Sequence, residues 1–303
     1  MIEFHNIFTM QIFLLCLMLI GVISVKTRIV DEQARSSLTE LILCVFLPCN
    51  ILSSFFGAER SQFFSLGLIL MISVGVMALS FALAMVLYRR AGAEQKKVLL
   101  YATLISNATF LGNPVVESIY GLDGLPYVAA YVLPLRVTLW TVGLAIFTGR
   151  KGNLKKAVLH PCLIATYLGL FVMIMDFTPP LLVSRLALSL GSCTTPVSMI
   201  VVGSILAMVD PRKIVTRLTV YFTFIRLALI PLLVMGIMLI FRPDPMVSGI
   251  TVLLCGMPAG ATTSILAEKY GGDKELATKM VFMTTLLSIV SAPLLFLLLQ
   301  RAL

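Results

Sequence analysis

Apolar side chains in this 303-residue chain come in long runs, not at every second position as in strands or on one helical face as in soluble bundles. Ten such runs cover residues 7–25, 41–58, 63–88, 98–116, 124–149, 157–175, 186–209, 218–241, 245–267 and 280–300. About 20 apolar residues are enough to cross a bilayer as a helix, which satisfies its own backbone polar groups where no water can. The pattern therefore predicts an all-α polytopic membrane protein of ten transmembrane spans, with no soluble domain between them. The first run has no basic flank and is longer than a secretory h-region, so it is expected to stay as span 1.

Composition agrees: 59% of residues are hydrophobic and 12% charged, with a mean hydropathy of +1.03. Charge then adds orientation. Of 23 Lys and Arg, 17 fall in the loops joining spans 1–2, 3–4, 5–6, 7–8 and 9–10. Arg60, Arg185, Arg242 and Arg301 lie on the opposite side, and Arg136 and Arg226 lie inside spans. The positive-inside rule puts the basic loops in the cytoplasm and both termini outside, in a plasma membrane such as the bacterial inner membrane. The net charge of +9 is thus a topology signal, spread over short loops, and not a nucleic-acid footprint.

Cys16, Cys44, Cys49, Cys162, Cys193 and Cys255 all fall within spans with no Cys-x-x-Cys pair, which reads as apolar packing without a metal or cofactor. The sequence has no HExxH, GxSxG, GxGxxG or Walker lysine, so an enzyme is not expected and transport would run on a gradient.

Prolines repeat along the chain. Pro48 and Pro196 are 148 residues apart, and Pro114 and Pro258 are 144 apart. Two successive five-helix units, residues 1–150 and 151–303, would lie in opposite orientations because five is odd. That is the inverted-repeat plan of many secondary carriers. Asn113-Pro114 in span 4 is expected to end one half-helix and start another, with Asn113 as N-cap and Pro114 at the first helical position. Gly256, Pro258 and Gly260 would do the same in span 9, and Gly112, Gly256 and Gly260 would let the two backbones approach.

Two such interruptions at membrane depth suggest one shared site whose half-helix N-termini attract an anion, most naturally a carboxylate. Arg136 and Arg226, both near mid-depth, each cost at least about 2.5 kcal/mol there. Arg136 would clamp a carboxylate through its planar fork or pair with Glu117. Arg226 would bind substrate or satisfy carbonyls freed by a break. Glu117 is either a proton carrier or a favourable charge in a first helical turn. Asn107, Thr262 and Thr263 lie close to the breaks, and Asn50, after Pro48, would line a facing wall.

These residues resemble those of the auxin efflux carriers, a family that includes plant PIN proteins and bacterial carriers linked to malonate and malate. The match in span 4 is at Asn107, Gly112, Pro114 and Tyr120-Gly121. In span 5, Arg136 stands four before Trp140, where the plant proteins place a glutamine. Further matches are Arg226, Pro231, Pro258, Glu268 and Tyr270. The resemblance implies an inverted repeat whose broken helices 4 and 9 cross at their prolines. It implies an elevator-like movement of spans 3–5 and 8–10 against a scaffold of spans 1, 2, 6 and 7, a homodimer, and a small organic anion at the crossing. This chain departs from the plant pattern in having no acid early in span 3, in carrying Glu117 where a basic residue is common, and in its short loop between spans 5 and 6. The leading expectation is a carrier of mono- or dicarboxylates. The alternatives are a sodium-coupled symporter of the bile-acid type and a non-transporting anion sensor.

Overall fold

The computed structural model describes residues 2–56, 63–148, 159, 161–208, 214–260 and 262–302. Among these residues all regular structure is helical, and the sole extended pairing is an isolated antiparallel bridge between Ser106 and Ala259.

The helices are α1 (Ile2–Lys26), α2 (Glu32–Leu41), α3 (Leu47–Ser54), α4 (Phe63–Leu87), α5 (Ala93–Leu104), α6 (Asn113–Tyr120), α7 (Leu125–Thr138) and α8 (Leu144–Thr148). They continue with α9 (Pro161–Met175), α10 (Leu181–Ser192), α11 (Thr194–Leu206), α12 (Arg217–Phe224), α13 (Ile230–Phe241), α14 (Pro245–Cys255), α15 (Thr262–Tyr270) and α16 (Lys274–Ala302). Among the described residues six helical stretches are long and apolar enough to cross a membrane: Glu32–Ser53, Phe64–Leu87, Leu122–Thr148, Leu181–Ile205, Arg217–Phe241 and Lys274–Ala302. Ile12–Lys26, Pro161–Met175 and Pro245–Cys255 are shorter apolar helices.

Turns of π-helix at Ile42–Phe46, Ala108–Gly112 and Ile225–Leu229 each run directly into the helix that carries the next proline. A proline ring inside an α-helix strikes the carbonyl four residues back. For Pro48, Pro114 and Pro231 that carbonyl belongs to a π turn, whose wider ring gives it room. This corrects the expectation for span 4. Asn113 is already helical and caps nothing with its side chain, because its preceding residue, Gly112, is itself right-handed helical at φ −69°. The chain leaves helical geometry earlier, at Ile105, Ser106 and Asn107. In span 9 the interruption falls at Gly256–Gly260, around Pro258, and α15 follows over Thr262–Tyr270. α6 ends at Gly121, where φ is +65° and the amide returns to the Glu117 carbonyl at 2.9 Å.

Helices immersed in lipid gain little by hiding apolar surface from tails equally apolar, so close packing must hold them. α1 lies along α11 with backbones in direct contact. A Cβ on Gly21 would run into the Ile200 carbonyl, and one on Gly203 into the Met18 carbonyl. Leu14, Met18, Met199 and Val202 fill that seam. α3 packs on α9 and α10, α4 on α5 and α7, α13 on α14, and α15 on α16.

Candidate substrate cleft and the paired interruptions

Three of the residues singled out from the sequence meet in a small cleft. Asn50 on α3, Asn113 at the start of α6 and Arg136 on α7 line it, with Ile51, Leu125, Val128, Ala129 and Val132. Asn113 Nδ2 donates to Asn50 Oδ1 at 3.0 Å. Arg136 is half-buried and makes neither an ion pair nor a side-chain hydrogen bond among the described residues. Glu117 is exposed on α6 and does not pair with it, so the alternative of a fixed Arg136–Glu117 bridge is not realised. The cleft measures about 10 Å³, room for roughly one water. A guanidinium with free donors beside an amide pair offers several hydrogen-bond donors and a full positive charge to an oxyanion.

A second group gathers at the two interruptions, which bond to each other. The Asn107 amide donates to the Pro258 carbonyl at 2.8 Å, and the Gly260 amide to the Ile105 carbonyl at 3.1 Å. Two short stretches of non-helical backbone thereby satisfy one another where water is scarce. The Ala259 amide is taken by Thr284 Oγ1 at 3.2 Å. Asn107 is 3% exposed and its Nδ2 has no partner among the described residues.

The expected glycine contacts divide. Gly260 faces the Ile105 carbonyl, as a backbone approach requires, whereas Gly112 faces the Leu254 side chain and Gly256 the Leu295 side chain. Pro258 belongs to the meeting point. Pro114 lies eight residues beyond Ser106, which pairs with Ala259, so the two interruptions do not meet at both prolines.

Thr262 and Thr263 also separate. Thr262 Oγ1 receives the Tyr101 hydroxyl at 2.9 Å, and Thr263 Oγ1 is fully buried without a partner among the described residues. Arg226 is 3% exposed and donates through Nη1 to the Thr103 carbonyl at 3.3 Å, away from the cleft. The side chains of Trp140 and Glu268 lie outside the described residues. Sequence reading missed Tyr101, Thr284 and the Thr103 carbonyl. The signal that would have found the first two is a hydroxyl inside an otherwise apolar span.

A family model described as membrane transport protein matches residues 6–157 and 150–296. An "Uncharacterized transporter" of Methanothermobacter thermautotrophicus is 29% identical over 286 residues, covering 92% of this chain and 94% of its own. A "Putative malonate transporter" of Rhizobium meliloti is 26% identical over 228 residues, 71% of each chain. Since the matched residues leave only short ends of the sequence uncovered, this multi-pass membrane protein belongs to the membrane transport protein family, that of the auxin efflux carriers.

Proposed function

We propose that the protein is a secondary carrier of small carboxylates, with a dicarboxylate of the malonate class as its substrate and Arg136 as the residue that holds it. One observation carries this reading: an unpaired guanidinium stands in a cleft beside the Asn50–Asn113 pair. An arginine that expensive to bury is kept where a ligand completes it. The Rhizobium relative's name supplies the choice of anion.

The cleft's walls belong to different parts of the fold. Asn50 and Ile51 come from α3, which packs on α9 and α10, while Asn113 and Arg136 come from α6 and α7, and α7 packs on α4. With room for only about one water, the cleft must widen to admit a carboxylate. Sliding the α6–α7 wall past α3 breaks the Asn50–Asn113 hydrogen bond, worth about 0.5–1.5 kcal/mol net, and also shifts α6 along α1, on which it packs through Val115. This is the elevator reading: spans 3–5 and 8–10 move against spans 1, 2, 6 and 7 in an inverted ten-span repeat, with the bonded interruptions riding in the mobile part. Thr263 and Asn107 carry unused buried polar groups at the interruptions, off the cleft's present lining, and become available to the anion only as that part moves. Glu117, exposed on α6, is the candidate for proton coupling. A homodimer with both termini outside the inner membrane completes the proposal.

The test is malonate binding and flux. Malonate should raise the melting temperature of the purified protein and enter proteoliposomes that contain it. Arg136→Ala should weaken binding about ten- to a hundredfold, the scale of a lost charge-assisted pair. Unchanged binding in that variant would remove Arg136 from the site, and binding without flux would favour a sensor.

A further inference from the structure

In an unbroken helix the Asn107 amide would donate to the Thr103 carbonyl, four residues back. Here it donates to Pro258, and the Thr103 carbonyl at the end of α5 receives Arg226 instead. Arg226 is 3% exposed, has no ion pair among the described residues, and its Nε has no partner there.

Thr103 lies in the last turn of α5. The guanidinium thus caps the carboxyl end of the α5 half-helix, where carbonyls lack intrahelical partners and the dipole is negative. Carriers built on interrupted helices hold a coupling sodium ion or proton at such ends. A fixed positive charge there supplies the same neutralisation and, in a weakly screened interior, repels a second cation.

We propose that Arg226 is a tethered cation in the place of a coupling sodium ion, so that the carrier moves its anion without sodium. The inference rests on the carrier reading above but concerns a residue outside the Arg136 cleft. It also reassigns Arg226 from substrate ligand to positioning residue.

The experiment compares wild type, Arg226→Gln and Arg226→Lys in proteoliposomes loaded with malonate, in sodium chloride against choline chloride at equal ionic strength. Wild type and Arg226→Lys are expected to transport equally in both salts. Arg226→Gln should be on the order of tenfold slower in choline, as expected when a buried charge is removed from its partners, and recover with sodium or millimolar guanidinium. Sodium-dependent wild-type transport, a sodium-dependent lysine variant, or a glutamine variant slow in every salt and not rescued by guanidinium overturns the proposal. A glutamine variant that is fast in choline overturns it as well.

If wild type neither binds nor moves malonate, the carrier reading for that anion fails, and melting temperature still decides the role of Arg226. Sodium should then stabilise Arg226→Gln and leave wild type unchanged, and no sodium effect on the variant overturns the tethered-cation role.

Discussion

The α1–α11 seam and the cleft between α3 and the α6–α7 wall are built in opposite ways. At the seam, Gly21 and Gly203 bring two backbones into contact and Leu14, Met18, Met199 and Val202 close around them. At the cleft, Asn50 and Asn113 share one hydrogen bond and Arg136 has donors to spare. A dry, interlocked contact has a single low-energy arrangement, because any slide opens voids or forces clashes. A polar contact can trade its hydrogen bond for water or a carboxylate at little net cost. The seam is therefore built to resist sliding and the cleft to exchange partners, and the two meet at Val115 of the cleft's α6 wall, which packs in the seam's apolar cluster.

The largest effect should come from spoiling the seam. Gly203→Leu would drive a side chain into the Met18 carbonyl and is expected to cost about 3 kcal/mol or more, as severe overpacking does. The melting temperature of the purified protein checks it, and a wild-type value would mean the seam yields easily. Next, Arg136→Ala should change melting temperature little while cutting malonate affinity, the reverse of the glycine variant. A large loss of stability would make Arg136 a structural residue.

Thr262→Val should cost about 1–3 kcal/mol, because it strands the fully buried Tyr101 hydroxyl. Equal stability would show that the hydroxyl finds another partner. The smallest effect belongs to the cleft's own bond. A double-mutant cycle of Asn50→Ala and Asn113→Ala should give a coupling of about 0.5–1.5 kcal/mol. A coupling several times larger would mean that the cleft is locked as firmly as the seam.

How far the chain could be read beforehand follows from what each feature needs. Runs of apolar residues are local, and among the described residues the six helical stretches long enough to cross a membrane each overlap an expected span. The span 9 interruption was also legible, since Gly256, Pro258 and Gly260 have local reasons to break a helix. The span 4 interruption was not. Ile105-Ser106-Asn107 contains neither glycine nor proline, and it leaves helical geometry because the Pro258 carbonyl and Gly260 amide, far along the chain, replace the helical partners. Pro114 drew attention to the wrong place, since the π turn ahead of it lets the helix absorb the ring.

The candidate site shows the same division. Arg136, Asn50 and Asn113 could be named because polar groups in an apolar run are costly, and they do share a cleft. Arg226 could be named for that reason too, but its partner is a main-chain carbonyl that is free only because of a tertiary bond. Gly21 and Gly203 passed unnoticed, since glycine is frequent in membrane helices and only a neighbour's backbone reveals which ones matter.

The wide turns ahead of Pro48, Pro114 and Pro231 have a consequence for how these rods tolerate change in length. Each holds one surplus residue relative to an ordinary helix over the same rise, and the ring that follows takes up that room, unlike Pro134 and Pro293, which sit inside α-helices with no such turn before them. Deleting a residue there would leave the rod's facing intact but press the ring onto a carbonyl, whereas replacing the proline by alanine would leave slack with nothing to accommodate. Insertion and imino acid form a matched pair, and losing either alone should bend the rod at that level.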